Sequence, residues 1–239
     1  MNIKANNVDM VFGNGLLASE LKNDINLSSH FFAAGVSDSV GASEEDYARE
    51  IIVLREWLKR LPGKKITYFS SFAAVSSDSR YAKHKRLVEE IIKNSCDKYN
   101  IIRLPQVVGI SSNMTLVSFL VRSIIKGHEL KIQLKARRRL IGVEDVARLA
   151  RQIARSGPEK LVVNVGPPHS ISALEILKKV EEILSIDAKY SLVNGGDIQD
   201  APLNDILTYL AASDPLLAEN YQNQVLLKYV PKIAKCYET

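Results

Sequence analysis

Five short apolar runs, set apart by segments with helical periodicity, constrain this chain more than any other feature of it. They occupy residues 8–12, 30–35, 65–71, 101–105 and 161–166. Most are apolar at successive positions rather than alternate ones, so their side chains need cover on both faces, the condition of a strand inside a parallel sheet. The intervening segments supply that cover. In 46–60, Tyr47, Ile51, Leu54 and Leu58 recur at steps of four, three and four, which is one helix face. In 80–98, Leu87, Val88, Ile91 and Ile92 are the expected buried positions; a short helix is expected at 19–25, an amphipathic one at 171–184, and shorter helical stretches such as 203–212 in the tail. Strands alternating with helices give an α/β chain with a Rossmann-like, doubly wound parallel sheet. The core falls to 1–111 and 142–168, with a smaller lobe from 112–141 and 169–239.

Composition narrows the function classes. With 239 residues, 46% hydrophobic and 25% charged, the chain can bury a core of its own. The first dozen residues have no basic stretch followed by an apolar run, and no segment reaches the roughly 18 to 20 apolar residues that span a bilayer. A soluble, cytoplasmic protein with no membrane partner is expected. Cys96 and Cys236 are far apart and lack metal-ligand spacing, so neither a disulfide framework nor a metal site is expected. The net charge of +5 is unevenly placed: Arg122, Lys126, Lys131, Lys135, Arg137, Arg138 and Arg139 stand against Glu129 alone, leaving the rest of the chain slightly negative. One local basic stretch suits a single anionic ligand better than nucleic acid, for which no recognition motif or aromatic interleaving is present.

Three groups of residues carry chemistry. Gly13-Asn14-Gly15-Leu16 follows the first apolar run and opens a helix. There Gly13 permits a tight turn, Gly15 lets a phosphate approach, Ala18 keeps helix and strand close, and backbone N–H groups face outward. Tyr81 and Lys85 stand four residues apart, on one face of the first turns of a helix. A nearby cation and the positive helix end favour phenolate, moving a tyrosine from its ordinary pKa of about 10 toward acid/base use. Ser70 and Ser71 end the third strand, where a parallel sheet delivers residues to its carboxyl edge. Taken alone, each group also describes a plain turn or a surface pair, so their order along the chain carries the weight.

At this point the sequence resembles the extended short-chain dehydrogenases/reductases, the sugar-nucleotide epimerase, dehydratase and reductase family. The matching pieces are GNGLLA, FFAAG, YFSSFAAV, YAKHK, IIRLPQVVG, RLIGVEDVA, and VNVG followed by a serine-bearing helix start, in family order. The resemblance implies that Tyr81 is the catalytic acid/base, that Lys85 lowers its pKa and holds the nicotinamide ribose, and that Ser71, or Ser70, orients the substrate. It places Gly13, Asn14, Gly15, Leu16, Ala33, Ala34 and Lys85 around NAD or NADP, and Arg138 and Ser70 against a nucleotide-sugar substrate, Arg138 on its pyrophosphate. It implies a small C-terminal substrate-binding lobe and a homodimer through 46–60 and 80–98. The expected activity is that of an NAD(P)-dependent reductase or C4 epimerase of a nucleotide-activated sugar, in surface-polysaccharide biosynthesis. The alternative is a non-catalytic sugar-nucleotide-binding protein that kept the fold and lost the cofactor.

Three departures bear on that expectation. Only 11 residues, Ser19 to Ser29, separate the glycine turn from the second run, where the family has a further strand pair that holds adenosine. The sheet should therefore be narrow on the adenosine side, with no counterpart of the acidic ribose-binding residue. The spacing from Ser71 to Tyr81 is short, so that Ser76 is also a candidate for the serine role. Phe72 and Ala73 stand where sugar-nucleotide dehydratases carry acidic residues, which disfavours dehydration.

Overall fold

The structure, a computed structural model, describes residues 10–23, 28–39, 41–111, 113–203 and 206–237. In chain order its elements are β1 (Val11–Phe12), α1 (Leu16–Lys22), β2 (His30–Phe32), α2 (Glu44–Lys59), β3 (Ile66–Ser71), α3 (Ala73–Ser76), α4 (Arg80–Ser95), β4 (Tyr99–Leu104) and β5 (Gln106–Val108). There follow α5 (Leu116–Ile125), β6 (Leu130–Gln133), β7 (Arg137–Arg138), β8 (Leu140–Gly142), α6 (Val143–Ser156), β9 (Lys160–Asn164), β10 (Ile171–Ser172), α7 (Ala173–Leu184), β11 (Tyr190–Val193) and α8 (Tyr221–Ala234).

The five expected runs form one five-stranded sheet in the order β1-β2-β3-β4-β9, every pair parallel. Residues 8 and 9 of the first run lie outside the described residues. Successive strand residues face opposite sides, and the packing separates them cleanly. Phe31, Phe69, Ile102 and Val163 join Ala18 and Leu21 of α1 and the inner face of α6 in one core. Phe32, Tyr68, Ile66 and Ile101 join Leu54 and Trp57 of α2 and Val88 and Ile92 of α4 in another. The sheet is thus covered on both faces, which is why its strands read as continuous apolar runs.

This arrangement gives the first two crossovers opposite hands. Both β1–α1–β2 and β2–α2–β3 step the same way across the sheet, yet α1 and α2 lie on opposite faces. Parallel crossovers are right-handed in nearly all proteins, so one of the two takes the uncommon hand. The position of α1 would give the common hand if its next strand lay on the outer side of β1. Among the described residues no strand lies there.

Helix positions differ in detail from the sequence expectation. Ser43 and Asp46 form a reciprocal capping box that starts α2, and the carboxylate Glu50 and Trp57 share its buried face with Tyr47 and Leu54. On α4 Val88 and Ile92 are buried, whereas Leu87, expected inside, is 50% exposed because it faces away from the sheet. The first helix begins three residues earlier than expected and ends at Lys22; residues 24 and 25 lie outside the described segments. Among the described residues of 203–212 there is one short 3₁₀ turn, Ile206–Tyr209, and the substantial tail helix is α8. Beyond the main sheet stand three small pairs, β5 with β8, β6 with β11 and β7 with β10. No helix among the described residues is long and apolar enough to cross a membrane.

Candidate active site

All five main strands are parallel, so the segments that follow them meet along one edge: 13–15 after β1, 33–36 after β2, 71–72 after β3, Pro105 after β4 and 165–166 after β9. Gly13 has φ +129°, and a Cβ there would stand 2.5 Å from the Ala33 carbonyl oxygen. Only glycine fits that backbone approach. Phe12 and Ala33 are joined by a 2.7 Å backbone hydrogen bond, so the glycine turn and the Ala33–Ala34 segment lie side by side, as expected. Asn14 and Gly15 are exposed, and a Cβ on Gly15 would meet nothing within 4 Å. Leu16 turns inward instead: its side chain fills the space beside Gly109, where a Cβ would stand 2.7 Å from it. Lys22, not singled out by the sequence, reaches back to the turn and donates to the Gly13 carbonyl at 2.6 Å and to Asn14 Oδ1 at 3.2 Å.

Tyr81 and Lys85 are set by the start of α4. Ser79 caps that helix by accepting from the Ala82 N–H, which puts Tyr81 in the first turn and Lys85 one turn on, both facing inward. The Lys85 ammonium lies 5.5 Å from the centre of the Tyr81 ring. Tyr81 is 8% exposed, and among the described residues its hydroxyl has no hydrogen-bond partner. Lys85 is different: only 2% exposed, it donates to the Tyr68 hydroxyl at 3.0 Å and to Glu50 Oε1 at 3.4 Å.

Glu50 is the centre of that cluster. Its Oε1 also accepts from the Tyr68 hydroxyl at 2.8 Å, and its Oε2 accepts from the Val36 N–H at 2.7 Å and lies 2.8 Å from His84 Nε2. Burial alone would raise the Glu50 pKa; the Lys85 charge and the hydrogen bonds from His84, Val36 and Tyr68 outweigh it and hold the carboxyl down at about 2. Burial, together with the Glu50 charge, pushes the Tyr68 phenol well above its ordinary value. The sequence carried a signal for Glu50, a carboxylate on the stripe between Tyr47 and Leu54, which sequence reasoning passed over.

The three candidate serines are engaged elsewhere. Ser70 is buried and donates to Glu89 at 2.6 Å, within the Arg103–Glu89 ion pair. Ser71 ends β3 at the carboxyl edge and accepts from the Ala73 N–H at 3.2 Å, and Ser76 donates to the Phe72 carbonyl. Among the described residues no hydrogen bond joins any of them to Tyr81.

At its end the basic stretch is tied down: Arg137, Arg138 and Arg139 each have partners. Arg138 donates to Asp197 Oδ1 at 2.7 Å and to the Asp197 carbonyl, also at 2.7 Å. Burial would raise Asp197; its hydrogen bond to Arg138 and the guanidinium charge hold it below the usual carboxylate range. Arg137 clasps Ser170, donating to its hydroxyl and its carbonyl. Arg139 is buried over the Phe72 ring, donates to the Pro167 carbonyl and pairs with Asp200. A cavity of about 280 Å³ opens beside Arg139 and Gly166, walled by Pro168, Leu203, Ile206 and Leu217. Tyr81, Lys85 and the glycine turn are not among its walls.

Comparison with known proteins points to the same fold. The model of the NAD dependent epimerase/dehydratase family matches residues 53–166, from within α2 to the end of the main sheet, leaving the glycine turn outside the match. No curated protein sequence matches the chain. Among solved structures, a UDP-N-acetylglucosamine 4-epimerase from Methanobrevibacter ruminantium M1, in complex with UDP-N-acetylmuramic acid, is similar with TM-score 0.68 and 19% identity, over 91% of this chain and 82% of that one. MoeE5 in complex with UDP-glucuronic acid and NAD is similar with TM-score 0.73 and 16% identity over the same shares. A UDP-glucose 4-epimerase from Thermus thermophilus, in complex with NAD, gives TM-score 0.69 and 14% identity, over 90% of this chain and 82% of that one. The chain is thus similar to the NAD dependent epimerase/dehydratase family over residues 53–166 and shares the fold of these solved structures, with no strand beyond β1 among the described residues.

Proposed function

We propose that the chain is an NAD(P)-dependent oxidoreductase or C4 epimerase of a nucleotide-activated sugar, working in surface-polysaccharide biosynthesis in the cytoplasm. The observation that carries the reading is the Tyr81 hydroxyl, unpartnered among the described residues and one helical turn from a buried lysine, at the carboxyl edge of a parallel sheet. A phenol so placed can give a proton to, or take one from, a sugar hydroxyl. Arg138 grips the substrate pyrophosphate with two parallel hydrogen bonds, exchanging its Asp197 carboxylate for phosphate. Ser71 steadies the reacting sugar oxygen. The sugar nucleotide rests on the smaller lobe, 112–141 and 169–239.

The described residues fit a nicotinamide cofactor over part of its length. Gly13, Asn14 and Gly15 leave an exposed turn for a phosphate, and Ala33 and Ala34 stand next to it. When bound, such a group supplies and takes back a hydride. On the outer side of β1 the described residues place no further strand.

A second reading, a non-catalytic sugar-nucleotide-binding protein of the same fold, is favoured by one observation: Glu50 and Tyr68 already occupy the Lys85 ammonium. One experiment separates the two. Purified protein is denatured and the released nicotinamide nucleotide is sought by absorbance and fluorescence, alongside turnover of nucleotide sugars by wild type and Tyr81→Phe. The enzyme reading expects bound or bindable nicotinamide nucleotide and a fall in turnover of about 10²- to 10⁴-fold in the variant. Sugar-nucleotide binding with no nicotinamide binding would establish the second reading.

A further inference from the structure

Resting on the nicotinamide-dependent reading above, we propose that Glu50 sets the redox preference of the site. By cancelling the Lys85 charge beside the nicotinamide ring, it lets the oxidised, cationic form of the cofactor bind without the repulsion that a lone ammonium would exert. Glu50 is thus a positioning residue, acting through Lys85.

The place of the ring follows from the chemistry. A hydride moves between the ring and the sugar carbon whose oxygen exchanges its proton with Tyr81, so the ring has to lie beside Tyr81. The Lys85 ammonium is 5.5 Å from the centre of the Tyr81 side chain's own ring. It also underlies the segment that follows β2. A Cβ on Gly35, the residue after Ala33 and Ala34, would stand 3.0 Å from Lys85 Nζ and 2.8 Å from Glu50 Oε1. The Gly35 backbone therefore rests on the pair, next to the two alanines assigned to the cofactor.

The pair is charged and dry. Lys85 and Glu50 are both buried, and the ammonium donates to Glu50 Oε1 at 3.4 Å and to the neutral Tyr68 hydroxyl at 3.0 Å. A charge held away from water is weakly screened, so it acts on a ligand several ångströms away more strongly than a surface charge does. A lone ammonium here would favour the reduced ring, which is neutral, over the oxidised ring, which carries a positive charge. With Glu50 in place the two side chains sum to zero and that bias is removed. His84 Nε2 lies 2.8 Å from the other carboxylate oxygen, so its contribution is kept constant by working at a single pH. If Glu50 served only to anchor the loop through the Val36 N–H, its loss would weaken both forms of the cofactor together.

The test is a calorimetric or fluorescence titration of the full chain with NAD and with NADH, for wild type, Glu50→Gln, Lys85→Met and the double variant, reading the ratio of the two Kd values in each protein. Glu50→Gln should shift that ratio toward NADH by about five- to thirtyfold, the effect of one unpaired charge about 8 Å away at an effective dielectric of about 20 to 40. Lys85→Met should shift it toward NAD. The double variant, uncharged again, should return to within about threefold of the wild-type ratio. Where Glu50→Gln alone does not fold, Lys85→Met set against the double variant reads the same charge. One ratio shared by all the proteins, or shifts in the same direction in both single variants, would overturn the proposal and leave the nicotinamide-dependent reading intact. If the wild type binds neither NAD nor NADH, that reading falls, and this proposal with it.

Discussion

A carboxylate withdrawn from water has to be compensated or protonated, and Glu50 is compensated from four sides. That makes it the residue that fixes Lys85, Tyr68 and His84 in place. Lys85 shares its charge with Glu50, so Tyr81 feels a paired ammonium rather than a free one. The folded-state pKa of about 2 lies below the ordinary 4.5, which fixes the sign of the linkage. Stability from this carboxylate is complete above about pH 4.5 and is lost as pH falls toward 2, about 3 kcal/mol over that window. Glu50→Gln keeps the shape, leaves Lys85 buried without a counter-charge, and removes this titration. Urea unfolding between pH 7 and pH 2 should show the variant less stable at neutrality and the gap closing as pH falls through the window. Parallel pH profiles for the two proteins would mean that Glu50 is not ionised in the folded chain.

At the scale of elements, β7 and the loop after β11 act together. Arg138 leaves β7 to meet Asp197, while its neighbour Arg137 turns to Ser170 and fixes the approach to β10. Adjacent arginines on one short strand thus have separable consequences. Arg138→Ala should cost on the order of 1.5 to 3 kcal/mol in binding of nucleoside diphosphates, with Arg138→Lys in between, because lysine offers a point charge in place of a fork. Arg137→Ala should leave diphosphate affinity nearly unchanged and lower thermal stability instead. Titration with uridine, thymidine, guanosine and cytidine diphosphates, read beside melting curves, separates these outcomes, and equal affinities for wild type and Arg138→Ala would leave the stretch without a ligand. The main strands were legible because each is a run that both faces must cover. The small pairs were not, because two to four residues such as 137–138 or 171–172 carry no period. α8 was obscured by Pro231, a helix breaker that falls in its last turn, where few N–H bonds remain to be lost. Lys22 and Asp197 gave no signal at all, since only the folded chain brings them to Gly13 and Arg138.

Over the whole molecule, the covering of the sheet decides how much surface is left for a second copy. The apolar stripes of α2 and α4 are spent on β2, β3 and β4, and the solvent side of α2 carries Glu45, Arg49, Arg55, Glu56 and Lys59. Two large apolar residues remain outside on these helices, Ile52 at 62% and Leu87 at 50% exposure. A homodimer that pairs α2 and α4 with their counterparts would cover both, within a contact of at least about 1,000 Å². The surrounding charges are of both signs, so a twofold arrangement can set opposite charges against each other, though pairs this exposed add little. Affinity would then rest mainly on the two apolar side chains. Light scattering at micromolar concentration should give a dimer for the wild type. Ile52→Glu and Leu87→Glu, each placing a charge in the contact without touching the core, should give monomers with unchanged melting behaviour in dilute solution. A wild-type monomer at these concentrations would show that the two side chains are ordinary surface residues.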